Sequence, residues 1–310
     1  MLSIVVNFFN NRREAQNTLH SLSRRYQSRA DDISYEVIAI DHGSSQPLSP
    51  DDVAGFGPEF RYRYVQTSSK SPVAAINDAC REANGDQLLV IIDGAHIVSP
   101  GVLRSASDAF SMFPSPFLAT ATFHLGPKLQ NESALEGYNQ HEEEKLLLQS
   151  GWRQSGYRLY TIAGAFSDQS GGWFGSVFES GCYGMRKADY LAMGGLDERF
   201  QSPGGGLVSL DFCQSALARK DLQYVMLLGE GTFHQFHGGV ATNAPLTQHP
   251  WKEFLAEYTR IRGKSFARVL RRPFFVGAFP NEALHIAQVS ANIGFEFWQG
   301  VAAATEQGTR

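Results

Sequence analysis

The first 125 residues alternate between two hydrophobic periods. Leu2 to Phe8 is a nearly continuous apolar run rich in β-branched residues, the pattern of a strand covered on both faces. Arg12 to Tyr26 then places Leu19, Leu22 and Tyr26 at helical spacing with charged residues between them. Tyr35 to Ile40 predicts a second buried strand, closed by the polar turn Asp41-His42-Gly43-Ser44-Ser45. Arg61 to Gln66 alternates as a shorter strand, and Val73 to Ala83 is a helix of small residues stopped at Asn84-Gly85. Gln87 to Asp93 is a third buried strand, and a helix begins near Pro100 and runs to about Phe113. Strands alternating with helices predict right-handed crossovers and a mainly parallel sheet.

From Ala134 the pattern changes. Ala134 to Leu148 reads as one helix, and its acidic run Glu142-Glu143-Glu144 reads as a solvated face. A glycine-rich region follows, with Gly164, Gly171-Gly172, Gly175, Gly181, Gly184, Gly194-Gly195 and Gly204-Gly205-Gly206, which predicts loops passing over the sheet. Trp173 and Phe174 within it suit either a stacking platform for a sugar ring or core packing. From Trp251 the chain reads as helical again, with a basic stretch from Arg260 to Arg272.

Composition narrows the function classes. The 310 residues are 43% hydrophobic and 19% charged, which is globular composition. Twenty-seven Lys and Arg against 31 Asp and Glu give a net charge of −4, so nucleic acid is not an expected partner. The apolar runs are too short for a membrane-spanning helix, and the start carries no basic segment with a cleavage site, which reads as a cytoplasmic protein. Cys80, Cys182 and Cys213 are widely spaced and odd in number, the pattern of buried thiols rather than of a disulfide framework.

Ligands of open parallel sheets bind beyond the carboxyl ends of the strands, where Asp41 and Asp93 both fall. A dinucleotide site would need GxGxxG after the first strand, but the turn reads Phe8-Phe9-Asn10-Asn11-Arg12. A GxxxxGK[ST] phosphate loop is also absent from the sequence, and so is the glycine- and lysine-rich loop of a nucleotidyltransferase. His234 and His237 form an HxxH pair, without the HExxH of a zinc hydrolase.

Taken in order, five stretches resemble family 2 glycosyltransferases: SIVVNFFNNRREAQNTLHSL, YEVIAIDHGSS, AAINDACREANGDQLLVIIDGAHIVSPG, SGCYGMRKADYLAMGGLDERF and FHQFHGG. They span roughly Leu2 to Gly239. The resemblance implies an α/β protein of the GT-A fold, with a Rossmann-like nucleotide-binding half (residues 1–125), an acceptor half (126–250) and a helical C-terminal tail (251–310). It implies an inverting hexosyl transfer from a nucleotide-sugar donor, a UDP-sugar foremost, to a hydroxyl acceptor on a glycan or lipid-linked molecule, as in bacterial-type surface glycan or glycoconjugate synthesis. Asp41 would bind the base, Asn10 would border it, and Asn77 would lie beside the nucleotide, with Lys70 near phosphate or solvated. Asp93 would contact a divalent cation, Mn²⁺ or Mg²⁺, or the ribose.

The sequence departs from the family at two places. The Asp-x-Asp motif reads Asp93-Gly94-Ala95-His96, so an imidazole stands one place beyond the missing acid. His96 is therefore a candidate cation ligand, and the resemblance implies that one of His234 and His237 completes the cation shell or contacts the diphosphate. The Glu-Asp pair that carries the general base is replaced by Val208 and Ser209, which leaves Asp211 as the candidate base or as an acid at a helix start, with Glu179 behind it. Both departures favour the alternative of a noncatalytic nucleotide-sugar-binding protein on the same fold. The Arg260 to Arg272 stretch suits peripheral contact with an anionic membrane or a charged helix packed on the domain.

Overall fold

Leu2–Phe8 forms strand β1 and is buried along its whole length, because helices cover both faces of the sheet it belongs to. The computed structural model describes residues 1–166, 172–239 and 249–308, so Gly171 lies outside the described residues. After β1 come α1 (Arg12–Leu22), β2 (Tyr35–His42), α2 (Pro50–Ala54), β3 (Phe60–Val65), α3 (Val73–Glu82), β4 (Gln87–Ile91), β5 (His96–Val98), α4 (Val102–Met112) and β6 (Pro116–Leu125). Then follow α5 (Gln130–Leu135), α6 (Gln140–Ser150), β7 (Ala163–Phe166), β8 (Tyr183–Arg186), α7 (Lys187–Ala192), α8 (Val208–Ala218), β9 (Gln223–His234), α9 (Trp251–Arg262), β10 (Phe274–Gly277) and α10 (Leu284–Gly308).

Among the described residues one ten-stranded sheet runs in the order β10-β9-β6-β8-β4-β1-β2-β3, with β5 added to β9 and β7 added to β6. β1 pairs in parallel with β2 and β4, and β2 with β3. β8 enters antiparallel between β4 and β6, so both halves of the chain share one sheet. Alternate residues of the strands feed two cores. Val5, Ile38 and Val90 join α3, α7, α8 and α9 on one face, whereas Ile4, Val6 and Leu89 join α1 and α4 on the other. All three cysteines are buried. No helix among the described residues is long and apolar enough to cross a membrane.

Several expectations need correction. The helix expected over Ala134 to Leu148 is two helices, parted where Gly137 takes φ 93° and Asn139 caps α6 by accepting from the N–H groups of His141 and Glu142. Glu143 is fully buried, so the acidic run is not a uniformly solvated face. Trp173 is also fully buried, and its indole N–H donates to the Glu230 carbonyl, so it is core rather than platform. The expected helical tail contributes β10, which pairs in parallel with β9. Its arginines are engaged within the molecule: Arg268 lies over Phe178 and Phe297, Arg272 lies over Trp298, and Arg271 donates to the carbonyls of Leu217, Arg219 and Leu222. Arg260, Lys264 and Arg272 nonetheless stay exposed.

α1 carries a buried histidine with a consequence for stability. His20 packs edge-on against Tyr26 and Trp152, with ring centroids 5.4 Å away in each case. Neither ring nitrogen has a hydrogen-bond partner among the described residues. Burial, aided by the charges of Arg153 and Arg25, lowers its pKa to about 4. The unfolded chain therefore takes up this proton first as pH falls from about 6.5, and stability is lost across the window down to about 4. Urea unfolding at pH 7 and pH 4.5 is expected to show about 2–3 kcal/mol of loss in the native protein that His20→Phe does not share. Equal losses in both proteins would refute this.

Candidate functional site

The carboxyl edge of the sheet gathers the chemistry because of strand register. His96 opens β5 and pairs with His234 at the end of β9, and His124 near the end of β6 is also in register with His234. Three imidazoles therefore stand abreast on neighbouring strands. Asp93 follows β4 at the same edge. Its turn is tight: the Gly94 N–H donates to the Asn7 carbonyl at 2.7 Å, and a Cβ at Gly94 would lie 2.3 Å from the Phe8 ring and 2.5 Å from that carbonyl oxygen. Only glycine fits there.

Asp93 Oδ1 accepts from the Ala95 N–H at 2.9 Å and from Asn11 Nδ2 at 3.4 Å. Oδ2 faces the histidines, 3.2 Å from His234 Nε2 and 3.4 Å from His237 Nε2. The two Nε2 atoms are themselves 3.3 Å apart. One ligand atom from each of the three residues falls within 4.8 Å of the others, a set able to hold a metal ion. Burial opposes charge on Asp93, but the two imidazoles outweigh it and hold its pKa well below the usual carboxylate range. Burial lowers the His234 pKa to about 4. At His237 burial also lowers, but the Asp93 carboxylate prevails and the pKa is raised.

His96 stands outside this trio. Its Nδ1 lies 2.9 Å from the Asp93 carbonyl oxygen, which can only accept, so the imidazole serves the turn, and its ring stands edge-on to His234 at 4.9 Å. His124, which the sequence patterns did not single out, accepts the Gln130 backbone N–H at Nδ1 (3.1 Å). Burial drives its pKa to about 3.

The remaining candidates are engaged elsewhere. Asp41 is 1% exposed, and its oxygens accept the backbone N–H groups of Ser44 (3.2 Å) and Leu48 (2.7 Å). Both oxygens take part in shaping the turn after β2. Asn77 donates to the Leu196 carbonyl and Glu198 and accepts from Tyr190 and the Leu196 N–H. Its amide is filled by Tyr190 and the loop of residues 194–199. Asp211 is gripped by Arg262, Nε on one oxygen at 2.7 Å and Nη2 on the other, and the same guanidinium reaches Asp197 at 2.8 Å. A carboxylate so occupied is an ion-pair partner and not an open base. It lines a cavity of about 620 Å³ with Gly195, Glu198 and Ser215.

Asn10 stays at the site's rim. At φ 55°, its side chain accepts from the Ser45 N–H and hydroxyl and so ties the loop after β1 to the loop after β2. Beside it Phe9 is 48% exposed, with its ring 6.4 Å from that of His42. That open aromatic surface between two strand ends was hidden in the sequence because Phe9 continues an apolar run.

Comparison with known proteins agrees with this layout. The Glycosyl transferase family 2 model matches residues 3–114. Among solved structures, S. aureus TarS shares the architecture with a TM-score of 0.52 at 13% identity, over 86% of this chain and 40% of that chain. S. aureus TarS 1-349 in complex with UDP-GlcNAc gives a TM-score of 0.49 at 13% identity, over 77% of this chain and 59% of that chain. This chain thus spans between about two fifths and three fifths of those TarS structures. No curated protein sequence matches it. Residues 3–114 are thus similar to glycosyl transferase family 2, and the fold around that segment is GT-A.

Proposed function

We propose that the chain is an inverting glycosyltransferase that binds a nucleotide sugar, a UDP-sugar foremost, and passes the sugar to a hydroxyl acceptor with a divalent cation held by Asp93, His234 and His237. The observation that carries this reading is the convergence of those three side chains at the carboxyl edge of β4, beside the segment that matches the family. The donor set suits a cation: three acceptor atoms face one another, and positive charge between them relieves their repulsion. Two of the three are imidazole nitrogens, which favours Mn²⁺ over Mg²⁺. When bound, the cation supplies neutralisation of the charge that grows on the diphosphate as the sugar leaves. The Ala95 N–H and Asn11 orient Asp93 so that Oδ2 meets the histidines. Phe9 and Asn10 border the space between the β1 and β2 loops, where the base would lie.

Calorimetric titration of Mn²⁺, alone and with UDP, is expected to show binding that Asp93→Ala weakens at least about a hundredfold. UDP binding that ignores metal, and persists unchanged in Asp93→Ala, would sink the cation assignment. Failure of UDP, GDP and CDP all to bind would sink the donor site.

A second reading, a noncatalytic nucleotide-sugar binder, is favoured by one observation: the carboxylate nearest the expected base position is closed by Arg262. Asp211→Asn is therefore expected to cost about 2 kcal/mol of stability, measured by urea unfolding, because it removes a charged double hydrogen bond. An unchanged or raised stability with a hundredfold loss of sugar transfer would instead restore Asp211 as the base. Sugar transfer or donor hydrolysis at measurable rate would exclude the noncatalytic reading.

A further inference from the structure

A cluster of buried polar side chains behind the histidine pair is absorbed by none of the roles above. Gln130 is fully buried at the start of α5 and touches four residues, His124, Leu125, Glu143 and His234. Its Oε1 lies 2.7 Å from His234 Nδ1. Its Nε2 donates to the His234 carbonyl at 2.9 Å, to Glu143 Oε2 at 3.4 Å and towards the Leu125 carbonyl at 3.5 Å. Its backbone N–H donates to His124 Nδ1.

Which end of the amide is which follows from the partners. Two backbone carbonyls, which can only accept, surround one end beside the Glu143 carboxyl group. That end must be the NH₂ group, so the end facing His234 Nδ1 is the carbonyl oxygen. A carbonyl oxygen only accepts, and Nδ1 must therefore carry the proton. In neutral imidazole the lone pair then sits on Nε2, the nitrogen that faces Asp93 Oδ2 and His237 Nε2.

We infer that Gln130 is a positioning residue that sets the tautomer of His234 and aims its Nε2 lone pair into the Asp93–His237 cluster. Glu143 holds Gln130 in this sense and fixes the segment between the two histidines. Its Oε2 accepts the Phe236 N–H at 2.6 Å, while Arg13, paired to Glu143 Oε1 at 3.2 Å, donates to the Phe236 carbonyl at 2.8 Å. The peptide groups on either side of Phe236 are thus gripped between His234 and His237. The consequence for cation binding rests on the proposed function, but the tautomer does not.

Long-range ¹H–¹⁵N NMR of the metal-free protein, with His234 assigned through His234→Gln, reads the tautomer directly. The Nδ1–H form is expected, and an Nε2–H form in the native protein would overturn the inference. Gln130→Met keeps the volume but removes both acceptor and donor, and is expected to mix the tautomers and weaken Mn²⁺ binding by about 10–100-fold. Gln130→Glu keeps an oxygen acceptor facing Nδ1 and is expected to retain the Nδ1–H form that Gln130→Met loses. If Gln130→Met retains a pure Nδ1–H tautomer, Gln130 does not set it and the inference fails. If the native protein shows the expected tautomer yet binds no Mn²⁺, the inference stands and the cation part of the proposed function falls.

Discussion

A carboxylate oxygen and two imidazole nitrogens within 3.2–3.4 Å of one another cannot all present lone pairs without positive charge between them. Much of the site follows from this constraint. Burial opposes a proton at His237, but the Asp93 carboxylate prevails and favours one there. The surrounding elements keep the acceptors facing inward at the expense of their mutual repulsion. Register brings His234 beside His96 and His124, a glycine turn brings Asp93 over the strand end, and α5 and α6 hold the far side of the histidines through Gln130 and Glu143. A site assembled against repulsion has a stored preference for a cation, and this is the physical link between the fold and the transfer chemistry proposed for it.

The first half of the fold was legible in the chain because its strands are covered on both faces. Continuous apolar runs such as Leu2–Phe8 and Gln87–Ile91 announce themselves without tertiary information. Later elements were harder to read for identifiable reasons. Gly137 and Asn139 divide a helix whose apolar spacing runs straight through them. β10 is four residues long with three of them exposed, so it carries little pattern of its own and is recognised only by its pairing with β9.

The candidate site divides in the same way. Asp93, His234 and His237 were visible because short motifs name them, and the structure brings the three together. Asp41, Asn77 and Asp211 were visible too, but their partners decide what they do. Arg262 lies 51 positions beyond Asp211, and the Leu196 backbone lies 119 beyond Asn77. No local pattern says that a carboxylate at a strand end will spend itself on backbone N–H groups or that an arginine will arrive from a later helix. Gln130 and Glu143 were hidden for the opposite reason: an amide and one acid in a run of three look like solvated residues until burial is known.

The place of β10 has a consequence for how the molecule is made. β9 carries His234 at one end and is flanked near the other by Phe274–Gly277, which covers its outer edge. Those residues come late in the chain, so on the ribosome β9 must emerge and wait with its hydrogen-bonding edge open while about forty further residues are synthesised. The exposed backbone is that of the strand that carries His234 of the candidate site. Nascent chains stalled or cleaved after α9 would thus present a sticky β edge. Quality control that recognises unpaired strands would meet this protein at the element its chemistry depends on most.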